Sequence, residues 1–274
     1  MTINYNKLYG CIIVSLILIV SGCEDDATPT VPQSAKKHIY AGVFCQYSEL
    51  DNDVDVRGEI FYSPKIDFYD FEINTIKYTS YIASNSANYS FSTYSNPLTG
   101  NYDTINVTLN TSEGALTGKI TMPDSVYNIN INQADSMLAT DTLIVNWSQN
   151  KKSDFYKLSL RYQVGMNPNW YFDTLLTTNK VSITPEMIDI FGTNKIVSVE
   201  VMPYNGIIPS SNSICNINGA GTGFLYYNRP YKYKACFVNV INSKHIPTKK
   251  TKYYQPKDIL MQKVHGFYRG NNEK

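Results

Sequence analysis

Cys23 is the residue best placed for covalent chemistry. It follows a ten-residue apolar run, 11–20, interrupted only by Ser15, and then two small residues, Ser21 and Gly22. Small side chains let an extended backbone enter a peptidase cleft, and the thiol is a nucleophile for acylation. The run is too short to span a bilayer and fits the apolar region of a signal peptide. The expected product loses residues 1–22 and carries acyl groups on Cys23. Two or more acyl chains hold a protein on a membrane stably, whereas one chain binds marginally.

Other reactive residues form no recognisable set. Beyond Cys11 and Cys23 there are three cysteines, Cys45, Cys215 and Cys236. Cys215 and Cys236 share the C-terminal region and could pair, with Cys45 left as a buried thiol. His38, His245 and His265 have no ligand spacing with these cysteines, so no metal or other cofactor is expected. No nucleophile elbow, paired-histidine motif or Walker loop occurs. Asp67, Asp70 and Glu72 alternate as solvated strand residues would, rather than as the facing carboxylates of a glycosidase. Gly219, Gly221 and Gly223 lead into Phe224-Leu225-Tyr226-Tyr227, a strand pattern. A dinucleotide cradle would open a helix instead. No enzyme is expected.

Hydroxyls and aromatic rings offer two kinds of surface chemistry. Each Asp-Ser or Asp-Thr pair precedes an aliphatic residue, placing Thr104, Ser125, Ser136, Thr142 and Thr174 in one pattern. Such triplets suit a turn entering a strand. They are also similar to the O-glycosylation sequon of exported Bacteroidetes proteins, which implies modification at these five hydroxyls. Tyr78, Tyr81, Tyr89 and Tyr94 are interleaved with Asn and Ser. Aromatic faces stack on sugar rings while Asn and Ser reach sugar hydroxyls, so these four are the candidate ligand-binding residues.

Net charge is +1, which gives no argument for nucleic acid as a partner. Charge is uneven, however. Residues 229–274 hold eleven Lys or Arg against Asp258 and Glu273. At a cell surface, anionic polysaccharide or lipid phosphate would be the partner for such a tail.

The scaffold reads as strands throughout. Val54, Val56, Gly58, Ile60 and Tyr62 alternate with Asp55, Arg57 and Glu59, giving one wet face. Ile105, Val107 and Leu109 repeat the pattern, and 112–114 turns the chain back. Residues 38–122 are expected to form one antiparallel β-sandwich domain. Residues 123–208 are expected to form a second sandwich of short strands, with a short helix starting at Thr184-Pro185. Leu143 to Trp147, Asp154 to Leu158, and Val197 to Val201 ending in Pro203-Tyr204-Asn205-Gly206 are similar to a fibronectin type III domain. That resemblance implies a buried Trp147 with Tyr156 on the next strand. The family's corner tyrosine is replaced near Ile196 and Val197. Residues 209–274 are expected to form a basic extension, with a last strand at 235–241, a short helix at 257–264 and Gly266 and Gly270 as breakers. The fold class is therefore all-β, two tandem antiparallel sandwiches with the second immunoglobulin-like.

The segment around Cys23 resembles the signal sequence of bacterial lipoproteins. Glu24-Asp25-Asp26 just after the cysteine resembles the surface-export signal of Bacteroidetes lipoproteins. Residues 23–37 are then a lipidated tether rich in Pro, Thr, Ser and Lys. Together these imply a lipid-anchored outer-membrane protein facing the cell exterior. The expected role is a non-enzymatic binding or accessory module for an extracellular ligand such as a glycan. The alternative is a structural or spacer subunit that holds a surface protein partner.

Overall fold

The computed structural model describes residues 38–63, 65–79, 82–84, 88–132, 136–138, 142–164, 167–184, 195–210, 213–239 and 259–272. The chain is mostly β. The alternating residues at its start form a long hairpin, β1 (His38–Ser48) and β2 (Asp53–Ser63), in register from His38 opposite Ser63 to Ser48 opposite Asp53. Asn52 takes a positive φ of 50° in the turn, a conformation that asparagine tolerates. Short strands follow: β3 (Phe68–Ile73), β4 (Ile76–Tyr78), β5 (Ile82–Ser84), β6 (Asn88–Ser92) and β7 (Leu98–Thr99). A second regular hairpin joins β8 (Thr104–Thr111) to β9 (Gly114–Thr121).

The second half begins with β10 (Tyr127–Ile131), β11 (Ser136–Leu138) and β12 (Leu143–Ser148). Next come β13 (Phe155–Val164), β14 (Asn167–Leu176), β15 (Lys180–Ile183) and β16 (Lys195–Asn205). The chain ends with β17 (Ile217–Gly219), β18 (Thr222–Asn228), β19 (Lys232–Asn239) and helix α1 (Ile259–Asn272). The helix expected from Thr184-Pro185 and the tether at 23–37 lie outside the described residues.

Two packed layers make the second half a sandwich. A three-stranded sheet, β10-β12-β15, faces β13 and β16. Val126, Leu143, Val145, Trp147 and Ile183 meet Tyr156, Leu158, Leu160, Val197, Val199 and Val201 between them. Trp147 and Tyr156 cross edge to face at 5.0 Å. The Tyr156 hydroxyl donates to Gln149 Oε1 at 2.8 Å, so the buried ring keeps a polar partner.

The first half curls one sheet around its own core, in the order β4-β3-β8-β9-β17-β18-β1-β2-β6-β5. Every second residue of β1, β2 and β8 points into that core, from Ile39, Ala41 and Val43 to Ile105, Val107 and Leu109. The expected self-contained domain at 38–122 needs correction here. β18 comes from 222–228, beyond the second half, and lies between β17 and β1. It pairs with β1 in parallel, Tyr40 opposite Thr222 through Gln46 opposite Asn228. Leu225 and Tyr227 fill the first core from this strand. The glycine run serves that insertion. A side chain at Gly221 or Gly223 would overlap the backbone of Ile39 or Ala41.

The all-β sandwich class expected from the sequence holds, and two pairings within it are parallel. β1 with β18 and β11 with β19 are parallel. Parallel neighbours need a long crossover, and here β2 to β17 all lie between β1 and β18 in the chain. β19 then returns to the second half and pairs with β16. The chain thus fills the first core, builds the second, returns to the first through β17 and β18, and goes back to pair with β16 through β19.

The expected irregular C-terminal extension is corrected too. Residues 259–272 form a helix of 14 residues, continuous through Gly266 and Gly270. A glycine in an exposed helix interior costs only about 1 kcal/mol relative to alanine. Gly266 is exposed, and the apolar positions Leu260, Val264, Phe267 and Tyr268 continue past it on one face. Packing on that face outweighs the local cost. Its partners are Phe44, Phe61, Phe224 and Tyr226, on the outer face of β1, β2 and β18. Among the described residues no helix is long and apolar enough to cross a membrane.

Candidate functional site

The tyrosines expected to bind ligand do not form a shared exposed surface. Tyr78 ends β4 and is 3% exposed, with its ring stacked on Phe71 at 5.0 Å. Tyr89 packs against Tyr62 and Phe68, and its hydroxyl donates to the Ile66 carbonyl at 3.0 Å. Tyr94 stands 81% exposed in a turn. Tyr81 lies outside the described residues. The physical reason is strand alternation: Tyr89 and Phe91 share the inward face of β6, so the aromatic positions that looked available belong to the core.

The five patterned hydroxyls also separate. Thr142 is exposed just before β12. Thr104 is half-buried at the start of β8, and Thr174 is half-buried within β14, opposite Leu158. Ser125 Oγ is 3.5 Å from Glu49 Oε1 and 3.4 Å from Arg229 Nη1. Ser136 opens β11 opposite Phe237. Cys23 is outside the described residues.

Cys215 is a free thiol, which corrects the expected bond to Cys236. It sits half-buried against the aromatic cluster under α1, whereas Cys236 lies in β19 opposite Val197. Burial pushes the Cys215 thiol up, partly offset by hydrogen bonds with the Thr222 hydroxyl and the Gly223 backbone. Cys45 is fully buried and its thiol is pushed up strongly by burial alone. Asp70, expected to be solvated, is buried on β3. Burial alone would raise its carboxyl, but the Asn110 amide and the Lys77 ammonium at 2.8 Å together hold it below the ordinary value.

A cleft of about 500 Å³ lies between the outer face of β2 and β6 and the side of α1. Its lining is Arg57, Gly58, Glu59, Ser90, Phe91, Met261, Gln262 and His265. The geometry follows from strand and helix periods. Arg57 and Glu59 alternate with core residues on β2 and so face outward together. Ser90 sits directly across from Glu59 in the β2–β6 ladder, and Ser92 across from Arg57. On α1, Met261 and Gln262 stand four and three residues before His265, about one turn away. A side chain at Gly58 would overlap the ring of Phe91, so the glycine lets that ring rise beneath the strand.

Polar contacts hold the cleft's centre. His265 Nε2 meets Glu59 Oε2 at 2.9 Å, and Asn88 Nδ2 donates to the same oxygen at 3.2 Å. The His265 ring stands edge-on to Phe61 at 4.9 Å. Among the described residues the lining carries one carboxylate, Glu59. It does offer hydroxyl, amide, guanidinium, imidazole and carboxylate groups beside an aromatic ring and a thioether. That mixture suits a small ligand rich in hydrogen-bonding groups, with some apolar surface.

A second polar group lies on the outer face of β13, β14 and β16. Arg161 Nε meets Glu200 Oε1 at 2.9 Å, and Lys157 Nζ meets Asp173 Oδ2 at 3.5 Å. Ser159 is paired across to both Asp173 and Glu200. Burial pushes the Glu200 carboxyl up to about 7, with Arg161 opposing and Asp173 adding to the rise. The Tyr231 ring lies under the Arg161 guanidinium at 5.4 Å. These are ion pairs between neighbouring strands of one sheet.

Sequence periodicity placed Arg57 and Glu59 on a wet face but could not connect them with Ser90, Gln262 or His265. The two parts of the cleft are 170 or more residues apart. No local signal marks His265 as their partner. Among the described residues no group of three or more His, Cys, Asp or Glu could hold a metal ion. The chain matches no protein-family pattern and no curated protein sequence.

Proposed function

We propose that this chain is a non-enzymatic binding module, anchored at the cell surface through lipid on Cys23. Its ligand is a short saccharide, held in the cleft between β2, β6 and α1. The observation that carries this reading is the cleft itself: about 500 Å³, with donors and acceptors on both walls. That volume falls within the range of small-ligand sites, roughly 300–1,000 Å³. Sugar hydroxyls both donate and accept. Glu59 can accept from them, Gln262 and Ser90 can do both, and the apolar face of a sugar ring can lie on Met261. The glycan reading thus rests on the cleft, and the tyrosine set no longer motivates it.

The test uses the mature protein on an array of immobilised mono- to tetrasaccharides. Wild type should be retained by at least one of them, and Ser90→Trp, which fills the cleft, should abolish that retention. Retention of no saccharide would overturn the ligand class, and equal retention by Ser90→Trp would overturn the site. A surface protein captured by crosslinking in the absence of saccharide retention would favour a structural subunit. The anchor is tested separately: Cys23→Ala should release the protein from the membrane fraction, and continued tight retention would disprove it.

A further inference from the structure

Helix α1 is attached to the sheet almost wholly through side chains. Leu260 and Val264 are buried, and Phe267 and Tyr268 pack beside them. Tyr40 receives the edges of Phe267 and Tyr268 at 6.3 and 5.3 Å, and Phe61 stacks on Tyr268 at 4.8 Å. The polar ties described are His265 to Glu59 and the Tyr268 hydroxyl to the Tyr62 carbonyl at 3.4 Å. The helix comes close to the backbone at Gly42 of β1. A Cβ built there would stand 2.9 Å from Val264 Cγ1, so the helix sits against bare backbone. Gly42 is opposite Glu59 in the β1–β2 ladder, so this approach lies beside the cleft.

Three of the eight lining residues, Met261, Gln262 and His265, belong to this helix. The other five belong to β2 and β6. The cleft therefore exists only when the helix is docked. We infer that saccharide binding and docking of α1 are one linked equilibrium, with the C-terminal helix as the movable wall of the site. This rests on the saccharide reading of the cleft and adds how that site is controlled. A ligand touching both Glu59 or Ser90 and Gln262 or His265 binds the docked form alone. It must then favour docking by the same factor by which docking favours it.

The contact between Gly42 and Val264 allows the linkage to be tested from both sides in the full chain. Gly42→Val keeps a good strand residue in β1 but occupies the space of Val264. Val264→Asp leaves β1 untouched and puts a charge in the apolar seam. Hydrogen exchange of amides 259–272 reads docking, and exchange in β1, β2 and β8 confirms that the sheet stays folded. Both variants should leave amides 259–272 essentially unprotected, with the helix docked in about a tenth of molecules or fewer, and little change in the strands. Both should also lose at least about tenfold in retention on the array saccharide that wild type holds best. That same saccharide, at about one hundred times its Kd, should slow helix opening in wild type by about one hundredfold. Unchanged saccharide retention after the helix has loosened would overturn the linkage while leaving the binding reading intact. Failure of wild type to retain any array saccharide would overturn the binding reading and this inference together.

Discussion

Leu225→Ala tests how the two halves of the chain depend on each other. Leu225 is fully buried in β18, opposite Val43 of β1. Its backbone N–H donates to Asn216 Oδ1 at 2.7 Å and its carbonyl accepts from Asn216 Nδ2 at 2.8 Å. Truncation to alanine leaves those bonds in place and removes three carbons from the first core. At about 0.8 kcal/mol per buried methylene the transfer loss is about 2.4 kcal/mol. The cavity left behind raises this to about 3–4 kcal/mol, inside the usual range for such changes. With a urea slope of roughly 3 kcal/mol per molar, the midpoint should fall by about 1 M. Both tryptophans, Trp147 and Trp170, lie in the second half, and Trp147 is buried in the other core. The fluorescence of Trp147 therefore reports on a core that Leu225 does not touch.

The two halves should nevertheless unfold together. β18 pairs with β16 at Tyr204–Asn228 and Asn205–Tyr227. Arg229 Nε donates to the Pro123 carbonyl at 2.7 Å, and Phe155 meets Tyr226 at 6.2 Å. Tryptophan fluorescence and far-ultraviolet circular dichroism should shift to the same lower midpoint in Leu225→Ala. A tryptophan transition that stays at the wild-type midpoint, beside a circular dichroism curve that has split in two, would refute this reasoning. Tandem domains that fold independently would give that second result.

Glu200 has its carboxyl raised, so the folded state holds its proton more tightly than the unfolded chain. Its contribution to stability is present at acid pH and is lost as pH rises from the ordinary glutamate value, about 4.3, through about 7. Glu200→Gln should flatten the decline of thermal stability over that interval, and an unchanged slope would refute the assignment. Asp70 is the opposite case: its lowered carboxyl contributes stability at neutral pH that is lost as pH falls through its folded value. Asp70→Asn should therefore reduce the difference in melting temperature between pH 6 and about pH 3, which lies below the ordinary aspartate value. Under native, non-reducing conditions a maleimide should label Cys215, which is half-buried and free, and should reach Cys45 only after unfolding. Mass mapping that finds Cys215 already oxidised to Cys236 would contradict the structure.

Local pattern alone determined a good deal. Period-two alternation is a property of neighbouring residues, so the β1–β2 and β8–β9 hairpins and the outward placing of Arg57 and Glu59 were legible directly. A buried Trp147 with Tyr156 on the next strand was what the resemblance to a fibronectin type III domain implied, and both side chains are core. The expectation of acylation at Cys23 also rests on neighbouring residues alone. Tertiary structure decided what depends on residues distant in the chain. Tyr78 and Tyr89 looked like surface residues, since alternation gives two faces and does not say which one meets a core. β18 looked like the start of an extension, but its slot beside β1 is made by residues 180 positions earlier. Gly266 looked like a helix breaker, yet the helix runs through it because Val264 and Phe267 find an aromatic face and a bare Gly42 beneath them. Neither wall of the cleft carries a motif of its own. Glu59 and His265 become a pair only when the helix docks, and docking is a matter of packing, which no local spacing records.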